Sequence, residues 1–387
     1  MLKKTFCVVL VISMVFLTGC WNNRSITKLS IVVGIGIDKA PDSGIDYTLQ
    51  LYSPLSSAAT QSNSGSPKSS GSTVTITSKG ATPFDAVRDI LSHEGKKPLY
   101  SMARVLVIGE DAAKEGLDEI WDLWERNQET TDNVRIVVVK NGTARSVLEA
   151  KAELNQIGAV EMADAIDNKA YGKNAKILSF RVSQLLNQPY AGIVIGCIDP
   201  AGATELKDMK IEGGAVFKKA KLEGYLNNDE TRGYLFAKNQ ITSTILIIQN
   251  PKEPGKLVTL EVFRSEGKLT AEMIDGKPKL GIEVTTRGAF GDEQGSTDLT
   301  GAKEVDALER EAETLITENI KAATTKSQKV FHCDIMNFSN ELYNHYYDEF
   351  ESIKGNWDEL YSNADISVTV DFSIDNSATM KKPAFKR

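Results

Sequence analysis

Four largely apolar runs, Ile31 to Ile37, Leu99 to Ile108, Val134 to Val139 and Gly192 to Ile198, punctuate the first half of the chain. A strand that is apolar on both faces has to be covered on both, so each run reads as a buried strand of a layered sheet. Between them lie helical patterns. Thr82 caps a helix that begins at Pro83, a second helix is expected from about Asp111 to Arg126 with Ile120, Leu123 and Trp124 on one face, and a third at Thr143 to Leu154. Gln156 to Gln188 is mostly helical in pattern. Ile45 to Tyr52 alternates and should pair with the first strand across a turn at Pro41-Asp42-Ser43-Gly44, and Thr73 to Thr77 adds another strand. Strands alternating with helices specify a mixed α/β sheet domain.

The second half changes character after the break at Asp199-Pro200-Ala201-Gly202. Gly214 to Phe217, Lys221 to Leu226, Ile241 to Gln249, Leu257 to Arg264, Lys268 to Ile274 and Leu280 to Arg287 follow one another, with Gly267 and Asp275-Gly276 as turns. That spacing predicts an antiparallel meander. Val305, Leu308, Ala312, Leu315, Ile316, Ile320 and Ala323 then recur at helical spacing, acidic residues early and lysines late, as one long amphipathic helix. A second helix runs from Ile335 to Ile353 and is ended by Gly355, and Ile366 to Ile374 alternates strictly as a half-buried strand. The fold class expected is α+β and multi-domain: an N-terminal mixed α/β sheet domain over 31–200 with a helical segment from about 155, and a C-terminal domain over 208–375. The latter is an antiparallel sheet with long helices on one face. Ser53 to Ser72, crowded with Ser, Gly, Thr and Pro, has little to bury and reads as a mobile loop.

The first twenty residues do not belong to this body. Lys3 and Lys4 precede an apolar stretch of 12 residues, Phe6 to Leu17, which as a helix spans about 18 Å against roughly 30 Å of hydrocarbon. Such a segment is an export signal rather than a permanent span. The cut site, Leu17-Thr18-Gly19-Cys20, is similar to the lipobox of bacterial lipoproteins. That resemblance implies removal of residues 1–19, a diacylglyceryl group on the Cys20 thiol and an acyl group on its new amine, with 20–30 left as a lipidated tether. Thr18 and Gly19 are small enough for a narrow peptidase site, and only a thiol is nucleophilic enough for the alkylation. Each buried CH₂ adds about 0.8 kcal/mol, so several acyl chains anchor stably where one is marginal.

Charge and cysteine usage narrow the partners. The chain carries −7 at pH 7, and loss of a leader with two lysines takes the mature form to −9. A surface that acidic repels phosphate backbones, which argues against nucleic acid. The tail 376–387 is locally basic through Lys381, Lys382, Lys386 and Arg387, either a solvated end or a contact with anionic lipid. Cys197 and Cys333 remain after Cys7 leaves and Cys20 is acylated; without CxxC or histidine spacing they are two buried thiols, or else a disulfide.

Catalytic and cofactor motifs are missing. Gly34-Ile35-Gly36 lacks the third glycine of a dinucleotide site and sits inside a strand. There is no Walker loop, HExxH or GxSxG, and His93, His332 and His345 stand in no triad order or ligand spacing, so neither metal nor cofactor is expected. Trp121, Trp124 and Trp357 could stack on a ligand, but Trp121 and Trp124 lie three apart on a helix, where core packing is the simpler role.

Ordered blocks along the mature chain resemble the Ger(x)C lipoproteins, the C subunits of nutrient germinant receptors in endospore-forming bacteria. They are Gly19-Cys20-Trp21-Asn22-Asn23-Arg24, Ile31 to Lys39, Val105 to Glu110, Gly214 to Lys219, Leu222 to Gly233, Asp334-Ile335 and Asn356-Trp357-Asp358-Glu359. The resemblance implies a membrane-anchored protein on the outer face of the spore inner membrane. Its partners would be two integral membrane subunits, the receptor's A and B, with which it couples detection of amino acids or sugars to ion release and germination. It also implies a three-domain mixed fold and no enzymatic activity, and it carries over one site residue, Cys20. Two other readings compete: a solute-binding lipoprotein of a transporter, which calls for two α/β lobes around a cleft, and a lipid-anchored hydrolase, for which the motifs are lacking.

Overall fold

In a computed structural model of the chain, residues 28–53 and 73–375 are described, apart from 94, 128, 153, 154, 156, 169–171 and 189. The leader, Cys20 and most of its tether, the stretch 54–72 and the basic tail 376–387 lie outside the described residues.

The first apolar run forms the middle of strand β1 (Leu29–Lys39), and β2 (Ile45–Tyr52) returns antiparallel to it, with Lys39 opposite Ile45. The turn between them works because Ser43 and Gly44 take positive φ, 68° and 106°. β3 (Thr73–Gly80) adds to β2, and α1 (Pro83–His93) starts where expected, with the Asp85 amide donating to Thr82 Oγ1 at 3.2 Å. Leu99 to Ile108 is not one strand. It splits into β4 (Lys97–Leu99) and β5 (Val105–Ile108), both parallel to β1, because a 3₁₀ turn at Tyr100–Met102 drives Tyr100 into the core. The helix expected over Asp111 to Arg126 is likewise two, α2 (Glu110–Glu115) and α3 (Asp118–Arg126). Gly116 at φ 135° breaks it.

β6 (Arg135–Val139) is followed by α4 (Ala144–Leu148), shorter than the pattern predicts, then by α5 (Gly158–Asp167), β7 (Ile177–Leu178), α6 (Ser179–Leu186) and β8 (Ile193–Asp199). β1, β5, β6 and β8 run parallel. The hairpin β9 (Lys210–Lys218) and β10 (Lys221–Leu226), read from sequence as the start of the second sheet, instead pairs with β8 and completes the first. The ten-stranded sheet has the order β10-β9-β8-β6-β5-β1-β2-β3, with β4 on β1 and β7 on β6. Ile35, Leu106 and Ile136 face a core shared with α1, α2, α3 and α6, while Val33, Val105 and Val137 face one shared with α4 and α5. Covering on both faces is what the apolar runs required. Gly34 and Gly36 serve the second core: a Cβ on either would stand within 3.0 Å of Leu148.

The remaining elements are α7 (Asn228–Ala237), β11 (Thr244–Gln249), β12 (Leu257–Ile274), β13 (Lys277–Glu293), α8 (Ala302–Lys326), α9 (Phe338–His345), α10 (Tyr347–Ile353), α11 (Trp357–Asn363) and β14 (Ile366–Ile374). β11, β12 and β13 form an antiparallel meander, with Asp275-Gly276 as its second turn. Gly267 does not turn the chain: β12 is continuous through it, and a Cβ there would lie 2.1 Å from the carbonyl oxygen of Phe236 at the end of α7. β14 is parallel to β13, so this sheet is mixed rather than antiparallel. The long crossover through α8 to α11 is what a parallel return needs.

Leu308, Ala312, Ile316, Ile320 and Ala323 of α8 are fully buried in the core of the second sheet. On the same helix Glu309 and Glu313 accept the amides of Ile374 and Phe372, at 2.8 and 3.1 Å, so α8 also covers exposed donors of the edge strand. The second predicted helix, Ile335 to Ile353, is broken. Asn337 turns in the left-handed region at φ 64° ahead of α9, and Tyr346, in a non-helical conformation, separates α9 from α10. Among the described residues no helix is long and apolar enough to cross a membrane.

Helix α7 meets α8 at Gly233, where a Cβ would lie 2.1 Å from the carbonyl oxygen of Asn319. Backbone cannot yield as a flexible side chain does. Gly233→Ala is therefore expected to lower unfolding free energy by about 1–3 kcal/mol, measured by urea titration. Gly95→Ala, where nothing lies within 4 Å, should change it by less than about 0.5 kcal/mol.

Candidate functional site

Of the residues singled out from sequence, Cys20 is outside the described residues. Cys197 and Cys333 are free and buried, 2% and 3% exposed, and burial pushes both thiols far up from their ordinary pKa. Trp121 and Trp124 are buried and stacked at 6.1 Å, with Trp121 Nε1 donating to Ser183 Oγ at 2.8 Å, so they pack the core as expected. His332 has no part in a metal site with Cys333. It sits at φ 48° at the end of the π turn that extends α8, its Nδ1 3.2 Å from Ser362 Oγ. Among the described residues no cluster of three or more His, Cys, Asp or Glu is placed to hold a metal ion.

In open α/β sheets ligands bind beyond the carboxyl ends of the parallel strands. Here that edge is filled by its own side chains. Asp38, at the end of β1, accepts the amides of Ala144 and Arg145 at 2.7 and 2.9 Å, and burial raises its pKa despite them. Gly109 must lack a side chain, since a Cβ would lie 2.0 Å from Asp38 Oδ1. Next to it Glu110 accepts the Asn141 amide at 2.8 Å and the Tyr225 hydroxyl at 3.0 Å. Three of the blocks noted in the sequence, 31–39, 105–110 and 222–233, thus meet in one closed corner.

The other described blocks, 214–219, 334–335 and 356–359, meet where the two halves join. Asp334 is buried, 1% exposed, and its carboxylate accepts the amides of Phe338 and Ser339 at 3.1 and 2.8 Å and the indole Nε1 of Trp357 at 3.3 Å. Its carbonyl oxygen takes the amide of Gly192, at the foot of β8, at 2.8 Å. Gly192 is a glycine for contact: a Cβ would stand 2.6 Å from Cys333 Sγ. From β9, Lys218 reaches across to Asp358 Oδ2 at 2.8 Å and to the carbonyl of His332 at 2.5 Å. From the end of α7, Lys238 donates to the Met336 carbonyl at 2.7 Å. Burial outweighs the attraction of Asp334 and Glu341 and lowers the Lys238 pKa to about 8, with Arg181 adding to the fall. Burial likewise raises that of Asp334 against its hydrogen bonds and Lys238. Sequence reading quoted Asp334 without a role and passed over Lys238, which looks like an ordinary cation at a helix C-terminus.

The joint also borders a cavity of about 280 Å³ between the β7–α6 segment and the end of α7. A second, wider groove of about 950 Å³ runs between α1 and α3, with Phe84 and Leu91 partly exposed along it.

Residues 22–195 match the family model described as spore germination protein N-terminal domain, and residues 212–378 match spore germination B3/GerAC like, C-terminal. The chain belongs to this GerAC-like family of spore germination proteins. It is 26% identical over 376 residues to spore germination protein KC of Bacillus subtilis (strain 168), covering 93% of this chain and 92% of that one. It is also 26% identical over 376 residues to spore germination protein B3 of the same organism, covering 95% and 96%. The crystal structure of the GerBC protein shares the fold, with a TM-score of 0.59 at 22% identity over 89% of this chain and 97% of that one.

Two outcomes test the joint. Asp334→Ala strands two amides and an indole N–H and should cost about 3 kcal/mol or more, with Cys333 alkylated before Cys197 in the folded variant. Equal protection of both thiols would contradict the placement. Because the folded-state pKa of Lys238 is depressed to about 8 from 10.5, the unfolded chain holds the extra proton between those values, and stability from this group rises with pH across that window. Wild type should therefore gain on Lys238→Met between pH 8 and 10.5, by up to about 3 kcal/mol, in paired urea titrations.

Proposed function

We propose that this chain is the lipid-anchored, non-enzymatic C subunit of a nutrient germinant receptor, acting beside two integral membrane subunits, A and B. In this reading diacylglyceryl and acyl chains on Cys20 hold it to the outer face of the spore inner membrane. The observation that carries the reading is the use to which the family-matching blocks are put. The described ones close a strand edge or bind one half to the other, and the catalytic motifs the chain lacks in sequence have no counterpart in what those blocks build.

The geometry of the tether agrees with an anchored role. Residues between Cys20 and Leu29 extend at most about 30 Å, so an anchor at Cys20 keeps the start of β1 within that distance of the bilayer. β1 is paired on both sides, with β2 and with β4 and β5. A pull on the tether enters the interior of the ten-stranded sheet rather than a fraying edge. Restriction to a surface also raises effective concentration beside membrane partners without new contacts.

Cys20→Ala tests this. The variant should melt as wild type does, leave the membrane fraction, and no longer bring down the two membrane subunits when tagged. Spores carrying it should lose the response to nutrients while staying otherwise normal. Equal sedimentation of both forms, or an unmodified thiol at position 20 by mass spectrometry of the mature protein, would overturn the proposal.

A further inference from the structure

The 280 Å³ cavity at the joint is lined by Arg181, Lys238 and Tyr234 and by apolar side chains including Ile177, Leu185 and Ile335. Its walls come from both halves, β7 and α6 from the first, the end of α7 and the 335–337 segment from the second. Its volume is at the small end of ligand pockets.

Three polar groups in it are under-used. Tyr234 is 7% exposed, and its hydroxyl, which is not among the fully buried unpartnered atoms, makes no hydrogen bond within the described residues, while burial of the ring raises its pKa to about 12. Arg181 makes one hydrogen bond, from Nη1 to Gln184 Oε1 at 2.9 Å, and no ion pair among the described residues. Its side chain is exposed, so its other N–H donors are open to water or to a ligand. Lys238 uses one of three N–H donors, on the Met336 carbonyl, and has no carboxylate in contact; Asp334 and Glu341 act on it from farther off. Arg181 is close enough that its charge bears on both Tyr234 and Lys238. Two cations without contacting anions and the Tyr234 hydroxyl therefore line one cavity together with the apolar Ile177, Leu185 and Ile335.

We infer that this cavity binds a small organic carboxylate, its anionic end against Arg181, Lys238 and the Tyr234 hydroxyl and its apolar end on Ile177, Leu185 and Ile335. An inorganic oxyanion would satisfy the donors but leave the apolar wall bare. A neutral molecule of the same shape would fill the wall but leave the cations uncompensated. The bound carboxylate touches both halves and so favours the arrangement in which they are docked. This site goes beyond the receptor-subunit reading and stands or falls apart from it.

Isovalerate, isovaleramide and inorganic phosphate, titrated at constant ionic strength into the full-length protein in detergent, decide the matter. Isovalerate should raise the melting temperature saturably and give a calorimetric binding isotherm. Isovaleramide should do neither, and phosphate should bind more weakly. Arg181→Gln, at an exposed helix position, and Tyr234→Phe, which keeps the packed ring, should each weaken isovalerate binding by about tenfold, the loss of one charge-assisted hydrogen bond. Their melting temperatures without ligand should stay near that of wild type, which separates a lost contact from a lost fold. The inference is overturned by no saturable response up to about 10 mM, the weak end of specific binding. Equal binding of the amide, tighter binding of phosphate, or unchanged affinity in both variants would overturn it as well.

Discussion

One buried carboxylate organises the contact between the two sheets. Asp334 takes two amides from the start of α9 and the indole of Trp357, while its own carbonyl receives the amide of Gly192 at the foot of β8. A charge taken out of water is tolerated only where donors surround it. Moving the second half away from β8 breaks the Gly192 bond, and moving α11 away from α9 removes the indole. The glycine at 192 and the thiol at 333 tighten the same point, since no side chain fits between them. One apolar core runs through it: Val194 of β8 and Val216 of β9 belong to the cluster built around α8 and the second sheet. The break in composition near residue 200 therefore does not coincide with a break in packing.

What was legible in the sequence was local. β1, β2, α1, α8 and β14 follow from runs, caps and periodicities within a few residues of one another, and the structure has them close to where those patterns end. What was not legible depends on partners far along the chain. Gly267 looks like a turn because glycine usually marks one, yet it is a glycine so that the end of α7 can lie against β12. β14 alternates whether its neighbour is parallel or antiparallel, and only the crossover through α8 to α11 decides which. The hairpin β9–β10 has the same pattern in either sheet, and register with β8 assigns it.

The polar sites were hidden for a related reason. Asp334 is flanked by Cys333 and Ile335, and a lone acid in an apolar stretch does not say which donors will reach it. Lys238 follows Tyr234-Leu235-Phe236-Ala237, where a terminal lysine has a sufficient explanation in the helix dipole. Arg181 and Tyr234 lie on separate helices, α6 and α7, and become neighbours only because both halves close around Ile335. The clue that was available is compositional: an apolar helix end with a lysine, a tyrosine four residues before it and no acid at a neighbouring turn. It identifies a cation looking for a counter-ion without locating one.

The ten-stranded sheet differs from nucleotide-binding α/β sheets at the place that matters for chemistry. Asp38 and Glu110 occupy the carboxyl edge and turn to backbone amides and Tyr225. A small cavity lies near the opposite end of β8, where its foot meets Asp334. A group bound there spans the two halves, whereas one bound at the carboxyl edge would touch the first half alone. A ligand that contacts both sides of a joint necessarily binds the docked form better than the parted one, and by linkage it stabilises that form by the same free energy. Fixing the halves through a few buried polar groups, rather than through apolar area alone, makes their docking sensitive to charge at Lys238 and Asp334. That sensitivity is a property a tethered subunit can use without performing any reaction of its own.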